Sequence, residues 1–189
     1  MIHEIPSFLS SHECLHIIGL AEKMAVGSDL MKSLPFHLIS DGHDVFRRIR
    51  DFISEKTNLP AQNQEEFLIT RYMEGGEYAD HFDSFTVRND LVHTDEFFQC
   101  CMSNGGQRLY TFVFYLNDDF EGGETYFPRL ERTIKPLAGG VAYWSNVDSH
   151  GATNELMIHR GCVVKSMKKW ILVIYVRENC IPKFERCQG

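Results

Sequence analysis

The chain has no CxxC pair among its six cysteines (Cys14, Cys100, Cys101, Cys162, Cys180 and Cys187), no run of basic residues and no apolar stretch near bilayer length. The first absence excludes a zinc ribbon and a regular disulfide framework. Reduced, mostly structural thiols are expected, with Cys180 and Cys187 able to pair only in an oxidising compartment. The second absence, with 19 Lys and Arg against 26 Asp and Glu and a formal charge of −7, speaks against nucleic acid as a partner. Crossing a bilayer takes roughly 20 apolar residues, and "MIHEIPSFLS" shows neither the basic nor the apolar part of a leader. A cytoplasmic protein with no membrane partner is the expectation. None of the Gly-Gly pairs, at Gly75, Gly105, Gly122 and Gly139 with their successors, opens a helix after a strand. They read as turns and not as phosphate loops.

What is present is a globular balance: 43% hydrophobic and 24% charged residues, with 14 Phe and 7 Tyr in 189 residues. One domain over 1–189 is expected at this size. "SSHECLHIIGLAEKMA" pairs Ser10 with Glu13 as a capping box and then repeats apolar residues at helical spacing. A second amphipathic helix is predicted from about Gly42 to Thr57. From Phe67 onward come short β-branched and aromatic runs: "FLITRYM", "RLYTFVFYL", "RTIKP", "VAYWS", "MIHRGCVV" and "KWILVIYV", with shorter pieces at "YADHF" and "TYF". About eight strands over 66–177, with helical support over 1–60, predict a mainly β barrel or jelly roll carrying helices on its outside.

His81 and Asp83 stand two positions apart in a strand-like stretch, so both can reach one interior point. A second pair, His93 and Asp95, falls in a polar stretch read as a solvated loop. Two histidines and one carboxylate leave open positions on non-haem iron, and the third ligand is sought at His150, in a polar loop, or at His159, expected on a hairpin that returns as "KWILVIYV". In that returning strand Lys169, Ile171, Val173 and Tyr175 share one face. If that face is inward, a buried Lys169 asks for an anionic ligand.

The segments "RYMEGGEYADHFD", "NGGQRLYTFVFYLND", "EGGETYFPRL", "IKPLAGGVAYW" and "HRGCVVKSMKKW" resemble, in order and spacing, the catalytic domain of collagen-type prolyl 4-hydroxylases, which are Fe(II)/2-oxoglutarate dioxygenases. The resemblance implies a double-stranded β-helix with iron on His81, Asp83 and His159. It places Lys169, ten residues after His159, on the far carboxylate of 2-oxoglutarate, with Tyr72 and Thr111 hydrogen-bonded to the same group. Tyr78, Arg108 and Tyr175 match the positions that meet a prolyl substrate. A regular strand would turn Arg108 and Thr111 to opposite faces, and an Arg108 at the strand mouth, outside regular pairing, would resolve this.

The implied activity is prolyl hydroxylation in a peptide or protein with release of succinate and CO2, using Fe(II), 2-oxoglutarate and O2, with ascorbate as a supporting reductant. A small stand-alone enzyme, monomeric or a small homo-oligomer, is the matching expectation. The sequence departs from the family at Arg160, Val163, Tyr175 and the segment between Trp144 and His159. Those departures keep open a same-fold dioxygenase acting on a lysyl residue or free amino acid, and a catalytically silent β-barrel is the third alternative.

Overall fold

A computed structural model describes residues 1–24, 33–38, 42–86 and 95–181. Strand β1 (Ile2–Ile5) leads to α1 (Ser11–Met24). The capping box forms: the Ser10 N–H donates to Glu13 Oε2 at 2.8 Å, and the Glu13 N–H to Ser10 Oγ at 3.3 Å. Strand β2 (Ser33–Leu38) precedes α2 (Asp44–Thr57), which is capped by the His43 ring accepting from the Val45 N–H and ends at Asn58 with φ 56°.

The remainder comprises β3 (Phe67–Tyr72), β4 (Tyr78–His81), α3 (Asp95–Ser103), β5 (Arg108–Tyr115), β6 (Glu121–Gly122), β7 (Thr125–Phe127), β8 (Arg132–Ile134), β9 (Val141–Ser145), β10 (His159–Gly161), β11 (Val164–Ser166) and β12 (Lys169–Arg177). The expected strands are all found, and β1, β2, β6 and β11 are added to them. Asp95 opens α3 rather than lying in a loop, whereas His93 falls outside the described residues.

Every pairing among the described residues is antiparallel. The strands form a six-stranded sheet, β1-β9-β5-β12-β3-β2, a four-stranded sheet, β4-β10-β7-β8, and the short pair β11-β6. His159 is therefore not on a hairpin with β12. β10 pairs with β4 and β7, while β12 pairs with β3 and β5. "MIHRGCVV" splits because the backbone of Cys162 and Val164 bonds to Glu124 and Gly76 in separate connections.

Period-2 alternation gives the large sheet two buried faces. Phe67, Ile69, Phe112, Phe114, Leu172, Ile174 and Val176 pack on Ile17, Ala21, Phe46, Ile49 and Ile53 of the two helices. The opposite face, with Tyr72, Val113, Tyr115, Trp144, Ile171 and Val173, meets Phe127, Ile134 and Met157 from the small-sheet side. Each fully buried side chain of this size stabilises by about 1.5–3 kcal/mol, so truncating Phe112 at the centre would cost about 3–5 kcal/mol. The helices fix the outer face and leave the inner one to line a cavity.

The thiols depart from expectation at one place. Cys100 is disulfide-bonded, whereas Cys14, Cys101, Cys162 and the exposed Cys180 are free.

Candidate active site

A cavity of about 440 Å³ opens between the sheets, lined among others by Tyr72, Tyr78, His81, Asp83, Arg108, Thr111, Trp144, His159, Lys169 and Tyr175. His81 ends β4, and Asp83 sits in the bend just beyond it, not on the strand itself. His159 begins β10 directly opposite His81. The chain thus brings three ligand atoms within 4.8 Å of one another. His150 is in an exposed turn, its N–H bonded to Asp148 Oδ1 at 2.8 Å, and takes no part.

The donor set suits a divalent cation. Asp83 Oδ1 is 3.5 Å from His81 Nε2, and Oδ2 is 3.5 Å from His159 Nε2. His81 Nδ1 lies 2.8 Å from the Ala79 carbonyl and His159 Nδ1 2.9 Å from that of Met157. A carbonyl only accepts, so each Nδ1 carries the proton and each Nε2 keeps a lone pair turned to the shared point. Burial pushes the Asp83 carboxyl up, but the two histidines and the Thr111 hydroxyl override it and hold it far below the carboxylate range. Burial lowers His159, while for His81 the same penalty is overcome by Asp83, which raises it. Two imidazoles and one carboxylate meeting in a cavity are the ligand pattern of non-haem iron.

Lys169 stands at the far end, 3% exposed and on the cavity face with Ile171, Val173 and Tyr175. Desolvation lowers its ammonium to about 8. Its Nζ donates to the Gly123 carbonyl at 2.7 Å, and no carboxylate pairs with it among the described residues. Gly123 has φ +65°, and a Cβ there would press on Lys169 Cδ at 3.1 Å. Tyr72 faces Lys169 across β3 and β12, its ring 5.3 Å from Nζ.

Thr111 is not beside Lys169. It pairs with Tyr175, six residues along β12, and donates to Asp83 Oδ2 at 2.7 Å. On the Lys169 side the Tyr115 ring lies 6.0 Å from Lys169 Nζ, with its hydroxyl 2.9 Å from Oγ1 of Thr125, which lines the cavity. Thr125 carried a weak signal, since it shares an inward face with Phe127 in "TYF".

The parity conflict is resolved by a β-bulge. Val176 pairs with Tyr110 and Arg177 with Arg108, so Leu109 is the extra residue, and both Arg108 and Thr111 reach the cavity. Arg108 donates through Nε and one terminal nitrogen to both carboxylate oxygens of Glu65, each at 2.8 Å, and its guanidinium lies 3.7 Å from the Tyr175 ring centre. Tyr78 is half exposed, its ring 4.0 Å from that of His81. Of the departing residues, Tyr175 lines the cavity. Arg160 instead pairs with Asp80 at 2.9 Å on the outer face, and Val163 is exposed away from the cavity. Glu65 and Asn146 are site residues that sequence reasoning missed.

Two antiparallel sheets folded over a cavity, with two histidines and an aspartate converging inside, define a non-haem iron oxygenase built on a double-stranded β-helix. The chain belongs to the 2OG-Fe(II) oxygenase superfamily, whose family model matches residues 67–177. Within that superfamily it is similar to prolyl 4-hydroxylases. Prolyl 4-hydroxylase 1 of Arabidopsis thaliana is 29% identical over 201 residues, 91% of this chain and 67% of its own. A relative from Acanthamoeba polyphaga mimivirus is 31% identical over 142 residues, 75% of this chain but only 56% of the relative. The viral collagen prolyl hydroxylase of Paramecium Bursaria Chlorella virus-1, solved as its 2OG complex, superposes with a TM-score of 0.75 at 27% identity, covering 93% of this chain and 94% of that one.

Proposed function

We propose that the chain is an Fe(II)- and 2-oxoglutarate-dependent prolyl 4-hydroxylase in which the two sheets and their helices work as one catalytic domain. The observation that carries the reading is the content of a single cavity: a buried cluster of two histidines and one aspartate at one end, and a buried ammonium with no carboxylate partner among the described residues at the other. In this reading His81, Asp83 and His159 hold iron, which when bound supplies, with O2 and the keto acid, the oxidising power to hydroxylate an unactivated C–H bond. Lys169 anchors the far carboxylate of 2-oxoglutarate, helped by the Tyr72, Tyr115 and Thr125 hydroxyls. That anchor fixes the length and direction of the cosubstrate, and orientation of this kind contributes to rate.

At the mouth, Tyr78 and Tyr175 offer flat aromatic faces to a prolyl ring. Arg108, held rigid by Glu65, points its remaining N–H groups toward peptide carbonyls. Closure of this mouth by a proline-containing peptide excludes water from the reacting carbon. The product chemistry is hydroxyproline, succinate and CO2, with ascorbate sustaining turnover. No helix among the described residues is long and apolar enough to cross a membrane.

The test is an anaerobic titration of Fe(II) and 2-oxoglutarate, watched for the visible charge-transfer band, followed by succinate release coupled to hydroxyproline formation in proline-rich peptides. A band with peptide-dependent succinate is the expected result. Iron binding without the band removes the dioxygenase reading, and a band with no turnover of any prolyl peptide removes the substrate assignment alone.

A further inference from the structure

Asp83 is 6% exposed. A carboxylate that must present a fixed edge to a cation needs its other lone pairs satisfied by fixed donors. Thr111 is that donor, with Oγ1 2.7 Å from Asp83 Oδ2. The hydroxyl has a single proton, and a second acceptor, Asn146 Oδ1, lies 3.1 Å away. Asn146 Nδ2 stands 2.9 Å from the same Oγ1. The charged acceptor at the shorter distance takes the proton, and donation from Nδ2 fills a lone pair of the hydroxyl. The order is then Asn146 Nδ2–H to Thr111 Oγ1–H to Asp83 Oδ2.

Asn146 is itself immobilised. It is 2% exposed and follows β9 directly. Its N–H donates to the carbonyl of Leu109, the bulge residue of β5, at 2.8 Å, and its carbonyl accepts from the Asn154 N–H at 2.9 Å. Further along, Val147 bridges to Thr153, whose Oγ1 accepts from Ser84 Oγ at 3.1 Å beside Asp83. The same connection ends at Met157, whose carbonyl holds His159 Nδ1.

We propose that Asn146 is a positioning residue for the metal-binding carboxylate: through Thr111 it sets where the hydroxyl proton points, and so how Asp83 is presented. The connection from β9 to β10 thereby orients two of the three ligands, Asp83 through Asn146 and His159 through Met157. This rests on the reading of His81, Asp83 and His159 as metal ligands.

The test is Mn(II) alone, titrated calorimetrically into the wild type, Thr111→Val, Thr111→Ser, Asn146→Ala, the Thr111→Val/Asn146→Ala double variant and His159→Ala, with thermal unfolding of each metal-free protein beside it. Asn146→Leu stands in for Asn146→Ala should the latter not fold. Thr111→Val and Asn146→Ala are each expected to weaken Mn(II) binding about 10- to 100-fold. Thr111→Ser restores it, and the double variant loses no more than Thr111→Val alone, because the two groups act in series. Unchanged affinity in Thr111→Val or in Asn146→Ala, or two real single losses that multiply in the double variant, overturns the positioning role while leaving the metal site standing. A wild type that binds no Mn(II), or a His159→Ala that binds it normally, removes the metal reading and this role with it.

Discussion

The ammonium of Lys169 donates to the carbonyl oxygen of Gly123 at 2.7 Å, and that is its one hydrogen bond among the described residues. Two donors remain for a ligand, in a place where burial has already lowered the ammonium to about 8. A carboxylate arriving there stabilises the charged form and raises that value, so above pH 8 binding must take up a proton. The affinity for 2-oxoglutarate is expected to be level below pH 8 and to fall about tenfold per pH unit above it. Isothermal titration in two buffers of different ionisation heat reads the proton uptake directly. Lys169→Met is expected to lose the pH dependence and about two orders of magnitude of affinity, the scale of a lost charge-assisted pair of hydrogen bonds.

The metal end answers to a stability measurement. A ligand that binds only the folded chain stabilises it by about 2.7 kcal/mol at a hundredfold excess over Kd. Thermal unfolding with and without Mn(II) should show that rise in the wild type and in His150→Ala, whose ring lies in an exposed turn. His159→Ala should show none. Equal metal-induced shifts in the wild type and His159→Ala would place the cation elsewhere.

How far these residues could be seen in advance depended on whether local periodicity or distant contact sets their positions. Alternation puts Lys169 and Tyr175 on one face of β12, but both faces of that strand are apolar, so only the pairing of the whole sheet turns this face to the cavity. Thr111 was set beside the cosubstrate carboxylate by resemblance, whereas its pairing with Tyr175 puts it on Asp83; the inward turn of Arg108 was hidden because one extra residue, Leu109, makes a bulge that leaves no compositional mark. Strand β2 was obscured by Pro35, which is tolerated because β2 is an edge strand. Glu65 was invisible for another reason: its partners Arg108 and Arg177 lie 43 and 112 residues away, and no sequence spacing announces such a pair.

Glu65 carries its own prediction. Burial pushes its carboxyl up, but Arg108 and Arg177 more than offset that and hold it below its ordinary value. A depressed carboxylate contributes stability above its unfolded pKa, near 4.5, and that contribution fades as pH falls through the lower folded value. Removing one member of a largely buried ion pair costs about 3–5 kcal/mol, and with a fifth of the Glu65 side chain exposed the lower end applies. Urea unfolding of Glu65→Gln at pH 7 should therefore show a loss of about 3 kcal/mol. The gap to the wild type should narrow below pH 4.5, and a gap independent of pH would assign the loss to packing instead.

The mouth separates substrate binding from the chemistry behind it. Tyr78 is 52% exposed with its ring at an angle 4.0 Å from that of His81, whereas the Tyr175 ring is held under the Arg108 guanidinium. If a prolyl ring lies between them, Tyr78→Ala removes one aromatic contact worth about 0.5–1.5 kcal/mol, a rise of about two- to tenfold in KM for the peptide. The affinities for Mn(II) and 2-oxoglutarate should stay at wild-type levels. Tyr175→Phe keeps the ring under Arg108 and should change KM little, while Tyr175→Ala loosens both the wall and the arginine and should raise KM more than Tyr78→Ala does. Steady-state succinate release against peptide concentration gives these values. A Tyr78→Ala enzyme with unchanged peptide KM would mean that the substrate enters past some other wall of the cavity, because no other aromatic side chain that lines it is comparably exposed among the described residues.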